Sequence, residues 1–262
     1  MTPTSHRSRV RRSGFTLIEV LVVVAIIALL ISILLPSLKA AREQGKRAVC
    51  LSNEHQMGIG FSMYASEFRQ YLPLRDSFTY YIKKTETIHG RKVNVPINYG
   101  PLYGKYVGKD LHIFYCPGNL LYVYEHEPYG AASFFDANIR LTFGGYMYGV
   151  PMNEGTYPRI TSKSIYPEDC LDEKYISWRE DWIASKGYDP LKRSPQVLLS
   201  DALIGDGYKA VHKGAGYNVL YSDFHAKWVS DPRKYILNMG ISSGTGGFPG
   251  QCKAWDYFAS RP

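Results

Sequence analysis

Three groups of residues have types and spacings that could do chemistry. The first is Glu19, a carboxylate in the run from Phe15 to Leu35, where Thr16 and Ser32 are the other polar residues. A helix of this run spans roughly 31 Å at about 1.5 Å per residue, enough to cross a bilayer core. A carboxylate at membrane depth costs roughly 2.5–3.5 kcal/mol on insertion scales, so Glu19 predicts a function and a cationic partner. The second group is His212, Asp223 and His225. Imidazoles and a carboxylate are the usual metal ligands and acid–base groups, and a glycine loop folding back would bring His212 beside the other two. The alternative is a turn aspartate bonding its own backbone, with histidines at the surface. The third group is the cysteines Cys50, Cys116, Cys170 and Cys252. An even count fits disulfides in an exported domain, and four cysteines allow three pairings. No CxxC occurs, and no Cys/His spacing suits a zinc site. Nor is there a nucleophile elbow, a phosphate loop or a paired-carboxylate site, so the expectation is not an enzyme.

The elements that must carry these residues follow from composition and pattern. The chain has 262 residues, 45% hydrophobic and 21% charged, which predicts a folded protein with one good core or one domain plus a stalk. Its net charge of +8 is concentrated at the start: Arg7, Arg9, Arg11 and Arg12 precede Gly14 with no acid among them. Without residues 1–14, 27 basic residues stand against 23 acidic ones, a balance of +4 with no basic stripe, and no nucleic acid is expected as a partner. The basic leader should stay cytoplasmic, with the rest of the chain pointing outward. Past the apolar run, Pro36 should kink or loosen the helix about one turn back, or mark its exit from the bilayer. Ala40, Ala41, Arg42, Glu43, Gln44, Lys46 and Arg47 are good helix formers. Cys50, Met57, Phe61 and Tyr64 then share one helical face, a stripe that should pack on a globular head. Beyond Tyr71-Leu72-Pro73, Gly, Pro and Tyr punctuate short segments, as in a β-rich domain with long loops. Asn218–Tyr221 and Ala226–Val229 read as strands around the turn Ser222–His225. The 22 tyrosines suit a thin-cored, sheet-rich exported domain, or a surface that binds sugars or proteins. Trp255 and Phe258 suggest a terminal segment docked on the domain.

Gly14-Phe15-Thr16-Leu17-Ile18-Glu19 resembles the prepilin processing site of type IV pilins and type II secretion pseudopilins. The resemblance implies cleavage between Gly14 and Phe15 by prepilin peptidase and N-methylation of the Phe15 amine. It also implies a filament in which Glu19 of one subunit pairs with the Phe15 amine of a neighbour. Two charges costly alone in lipid become tolerable together and fix the register between helices. In that family a proline at the place of Pro36 accompanies helix loosening during assembly.

Further fragments extend the likeness to pseudopilin-like proteins abundant in planctomycetes. Cys50-Leu51-Ser52-Asn53 with Gln56-Met57-Gly58 and Tyr64-Ala65 is similar to their cysteine-bearing helix. Phe114-Tyr115-Cys116-Pro117 is similar to their Cys-Pro turn, and Gly145-Tyr146-Met147-Tyr148-Gly149 is a weaker match. His212 to His225 resembles their processing-associated motif, a His, nine residues, then Asp-Gly. Here ten residues separate His212 from Asp223, and Phe224 replaces the glycine. Phe disfavours the positive φ that Gly supplies, which leaves the turn type open. Cys50 lies on the packing face and Cys116 at a turn that must abut it, so this pair is the expected disulfide, the alternative being two buried thiols. Type II pseudopilins can hold calcium in a C-terminal loop, and Asp201, Asp206 and Asp223 are the residues that could do so here. Asp206-Gly207 is equally an ordinary turn. No other cofactor is expected.

The fold expected is α+β and pilin-like: a long N-terminal transmembrane and stalk helix packed on a small antiparallel sheet head with long loops. The segments expected are a leader at 1–14, a transmembrane helix at 15–36, an amphipathic stalk at 37–67 and a head at 68–262. The function expected is a pseudopilin or minor pilin-like subunit of a type II secretion or type IV pilus-like filament. Its partners would be prepilin peptidase, other subunits contacting the N-terminal helix, and the inner membrane, with the head in the periplasm or at the surface. The alternative is a membrane-tethered binding protein for a polysaccharide or protein ligand, exported by the same route.

Overall fold

The computed structural model describes residues 15–73, 81–119, 124–125, 128, 130–148, 196–201, 211–236 and 238, with the single positions 180, 184, 254, 257 and 258. The leader with Gly14, the residues Asp206, Cys170, Cys252 and Trp255, and the segments 151–179 and 239–253 lie outside them. The chain divides into two compact units, Met1–Glu43 and Gln44–Pro262.

One helix, α1 (Leu17–Glu67), carries the apolar run and continues past it. It starts where the sequence offers a capping box: the Glu19 amide donates to the Thr16 hydroxyl at 3.3 Å, and the Thr16 amide donates back to Glu19 Oε2 at 2.8 Å. Pro36 lies inside the helix. Lacking an amide hydrogen, it leaves the Ser32 carbonyl without its intrahelical donor. Residues 15–42 are all exposed. This part of the helix is long and apolar enough to cross a membrane. From Cys50 onward the pattern reverses: Cys50, Glu54, Met57, Phe61 and Ala65 are buried at steps of three and four, with Gly58 and Gly60 buried beside them. The expected stripe is therefore present, with Tyr64 partly buried beside it.

Among the described residues, the second unit contains two antiparallel sheets. The strands are β1 (Tyr81–Ile88), β2 (Arg91–Pro96), β3 (Leu141–Phe143), β4 (Tyr146–Tyr148), β5 (Val197–Asp201), β6 (Gly216–Tyr221) and β7 (Ala226–Ser230). The first sheet has the order β2-β1-β3 and the second β4-β5-β6-β7. His89 and Gly90, with φ of 48° and 76°, close the β1–β2 hairpin in the left-handed conformation that matches strand twist. With its apolar helix and small antiparallel sheets, the protein is α+β and pilin-like.

The tyrosines explain much of the core. Tyr99, Tyr146, Tyr148 and Tyr221 are fully buried, and the hydroxyls of Tyr99, Tyr148 and Tyr221 find backbone partners. Tyr99 donates to the Tyr146 carbonyl at 2.9 Å, Tyr148 to that of Pro73 at 3.2 Å and Tyr221 to that of Phe258 at 3.1 Å. Phe258 is itself buried, as a docked terminal segment requires. Close backbone approach fixes one glycine: a Cβ on Gly145 would come within 2.5 Å of the Cys116 amide nitrogen.

Candidate functional site

Two places in the chain collect the chemically capable residues. At the N-terminus of α1, Phe15 and Glu19 are exposed one helical turn apart. The Glu19 carboxylate accepts from both the amide and the hydroxyl of Thr16, each at 2.8 Å. These bonds hold the side chain back towards the start of the helix, next to the Phe15 position. The Thr-x-x-Glu signature for this cap is legible in the sequence, although sequence reasoning singled out Glu19 without Thr16.

In the head, the structure joins Cys50 and Cys116 in a disulfide, with Cα atoms 5.1 Å apart. Cys50 is placed by the buried stripe of α1 and Cys116 by the turn after a 3-10 segment, Leu111–Phe114. Asn53, one turn along the helix, donates to the Tyr115 carbonyl at 3.4 Å and ties the two together. Closing a 66-residue separation stabilises by about 4 kcal/mol in the chain-entropy account.

His212 lies against this pair. Its Nε2 is 3.4 Å from Cys116 Sγ and 3.4 Å from Asp201 Oδ2, and both side chains of the His–Asp pair are fully buried. His212, Lys213 and Gly214 form a left-handed turn, with φ of 50°, 58° and 69°. The imidazole fits over Gly118, where a Cβ would fall within 2.3 Å of the ring. Asn218 steadies Asp201: its amide donates to Oδ2 at 2.7 Å and its side-chain Nδ2 at 3.0 Å. Among the described residues, Asp201 Oδ1 has no hydrogen-bond partner. Glu54, one turn beyond Cys50, is also fully buried, and among the described residues neither of its carboxylate oxygens has a hydrogen-bond partner. Burial first, and the Asp201 charge second, push the Glu54 carboxyl well above the usual carboxylate range. Sequence reasoning missed Glu54, although its place between Cys50 and Met57 put it on the packing stripe.

The candidate corner of His212, Asp223 and His225 does not form, and Asp223 is instead a turn aspartate that accepts from the His225 amide at 3.3 Å. Asp223 and His225 do meet each other on the exposed β6–β7 turn. His212, however, precedes β6 while the turn follows it, and six residues at about 3.3 Å each put roughly 20 Å between them. The expected grouping of Asp201 with Asp223 fails for the same reason. Asp201 sits beside Asn218, whereas the turn lies by Gln196, whose carbonyl accepts from the Ser222 amide at 2.7 Å. Asp206 lies outside the described residues. Phe224 in the β6–β7 turn has a positive φ of 66°, a strained conformation for a residue other than glycine. Among the described residues, the His, Cys, Asp and Glu side chains close enough together to hold a metal ion are Cys50, Cys116, Asp201 and His212.

An open cavity of about 410 Å³ lined by Val49, Asn53, His112, Tyr115, Asn119 and other residues reaches Cys116.

No curated protein and no solved structure matches the chain. Residues 9–35 match the family described as the prokaryotic N-terminal methylation motif. Lying across the start of a 51-residue helix with a bare apolar surface, this motif marks a prepilin-type N-terminus and supports a type IV pilin-like protein anchored in a membrane.

Proposed function

We propose that this chain is a structural subunit, pseudopilin or minor pilin-like, of a type II secretion or type IV pilus-like filament. The methylation motif at residues 9–35 carries the reading. Prepilin peptidase cuts between Gly14 and Phe15, the new Phe15 amine is methylated, and α1 stays in the inner membrane until assembly. The head then lies in the periplasm or at the surface. A head near 190 residues is large for a major subunit, which favours a minor or specialised one. Three features support a role for Glu19 in register. It is a carboxylate within an apolar helix, it is bonded back towards the helix start, and cleavage creates an ammonium nearby. The chain works by packing helices together, and no chemical step is assigned to it.

The test is the N-terminal peptide of the membrane-purified protein, read intact by mass spectrometry. A methylated Phe15 start is expected. An uncut Met1 start would overturn the reading and favour a tethered binding protein. Glu19→Ala should still be cut and methylated but fail to enter filaments, and normal incorporation would remove Glu19 from the assembly mechanism.

A further inference from the structure

The residues around His212 come from four separate parts of the head, the stripe of α1, the Cys-Pro turn, the end of β5 and the left-handed turn before β6. One ligand atom from each of Cys50, Cys116, Asp201 and His212 lies within 4.8 Å of the others, and all four residues are buried. We propose that, with its cysteines reduced, the head binds one zinc-class divalent ion through Cys50 Sγ, Cys116 Sγ, His212 Nε2 and an Asp201 carboxylate oxygen.

The two spacings that His212 makes are those of a tetrahedral site, and the two sulfurs, bonded here, would separate on reduction to complete it. Sulfur at about 2.3 Å from an ion, and nitrogen or oxygen at about 2.0–2.1 Å, put N and S ligands about 3.6 Å apart and N and O ligands about 3.4 Å apart. His212 Nε2 stands 3.4 Å from Cys116 Sγ and 3.4 Å from Asp201 Oδ2. At that distance the His–Asp contact is too long for a good hydrogen bond and suits two ligands sharing an ion. The surroundings also fit a metal. Two Asn218 donors orient the Asp201 carboxylate while its Oδ1 has no partner. Gly118 leaves the imidazole its space, and the left-handed turn directs it inward. Arg47, whose guanidinium lies 4.4 Å over the Trp228 ring, has a buried Nε without a partner. It supplies positive charge to a site carrying two thiolates and a carboxylate. The cavity that reaches Cys116 gives a route in from the surface.

Metal binding and the disulfide exclude each other. Binding takes one proton from each thiol and forms two metal–sulfur bonds, with no electron transferred. Closing the disulfide from the ion-bound state joins the two thiolate sulfurs, passes two electrons to a disulfide-class oxidant that takes two protons from solvent and leaves as two thiols, and releases the ion. The head therefore has two alternative cross-links between Cys50 and Cys116, chosen by the redox state around it.

The experiment uses the full chain in detergent, prepared either reduced with a phosphine or oxidised, and titrated with cobalt(II) and zinc(II). The reduced protein should take up one ion. With cobalt it should show the visible bands of a tetrahedral site and a near-ultraviolet thiolate charge-transfer band. Zinc should displace the cobalt and raise the melting temperature of the reduced protein. The oxidised protein, folded with the same residues in place, should show none of these bands. His212→Asn should keep the thiolate band but weaken cobalt binding at least about tenfold. Absence of the bands in the reduced protein, or equal binding by the oxidised one, would overturn the site. So would a His212→Asn variant with unchanged affinity.

Discussion

Two stretches of α1 have opposite relations to the rest of the chain. In residues 15–42 the apolar side chains are exposed, and in Cys50 to Ala65 they are buried every third or fourth position. The first stretch is apolar all round, so its stabilising surroundings lie outside this chain, in lipid or in other helices. The second is amphipathic, and its surroundings are the head itself. One continuous helix thus serves two solvents, and substitutions along it should separate them. Phe61, fully buried and stacked at 5.7 Å on Tyr148, belongs to the second stretch. Phe61→Ala should cost the head about 3–5 kcal/mol. In near-ultraviolet melts of the detergent-solubilised protein, Leu29→Ala, on the same helix, should leave the transition in place. Equal shifts for the two would erase the distinction.

The same contrast explains what the sequence made legible. The N-terminal stretch is local: the basic leader, Gly14-Phe15, Glu19 and the apolar run are adjacent, and period and spacing are sufficient to read them. The Cys50 stripe and the β6–β7 hairpin are local too, and both were expected. The cluster around His212 is not local. Its four proposed ligand residues are spread from 50 to 212, so no short spacing in the sequence announces it. The error at His212 has the same origin. In the sequence His212 is close to Asp223, but an intervening strand extends the chain and carries them to opposite ends, whereas sheet pairing brings Asp201 close. Thr16 and Glu54 belong to a third kind, since their signals, a capping box and a helical stripe, were present and went unused.

A buried cation in the head tests how far its polar interior is made by pairing. Lys83 is fully buried, and its ammonium donates to Thr85 Oγ1 at 3.0 Å, to the Asp136 carbonyl at 2.9 Å and to the Ile139 carbonyl. Lys83→Met keeps the aliphatic volume and strands those two carbonyls. The expected loss is about 2–4 kcal/mol, read as a lower urea midpoint at constant slope. An unchanged midpoint would mean that water or a shifted loop replaces the bonds.

Glu54 is the opposite case, a buried carboxyl without partners. In the disulfide form, Glu54→Met should stabilise the head by about 1–3 kcal/mol near neutral pH. The sign of its pH dependence follows from the raised pKa. Above the ordinary carboxylate value the unfolded chain releases this proton while the folded chain keeps it. Stability is therefore greatest below that value and falls as pH rises towards the folded one. Melts from pH 4 upward should show this fall in the wild type and a flatter profile in Glu54→Met. A profile unchanged by the substitution would move the fall to another group.

The smallest effect is expected at the turn that aims His212. Lys213 has φ of 58° and an exposed side chain, so its left-handed conformation is strained without any packing in return. That conformation costs an L-residue about 1–2 kcal/mol, and glycine removes the cost but adds about 0.4–1 kcal/mol of unfolded-state entropy. Lys213→Gly should therefore stabilise by roughly 0.5–1 kcal/mol, seen as a small rise in the urea midpoint. The buried neighbours of His212 hold the imidazole from the other side, so its aim at Cys116 and Asp201 should survive the change. In the reduced protein, cobalt should then give the same tetrahedral spectrum as in wild type. A higher midpoint with a lost spectrum would separate the two roles of the turn: the strain at Lys213 would hold the ligand in place at the expense of the stability of the head.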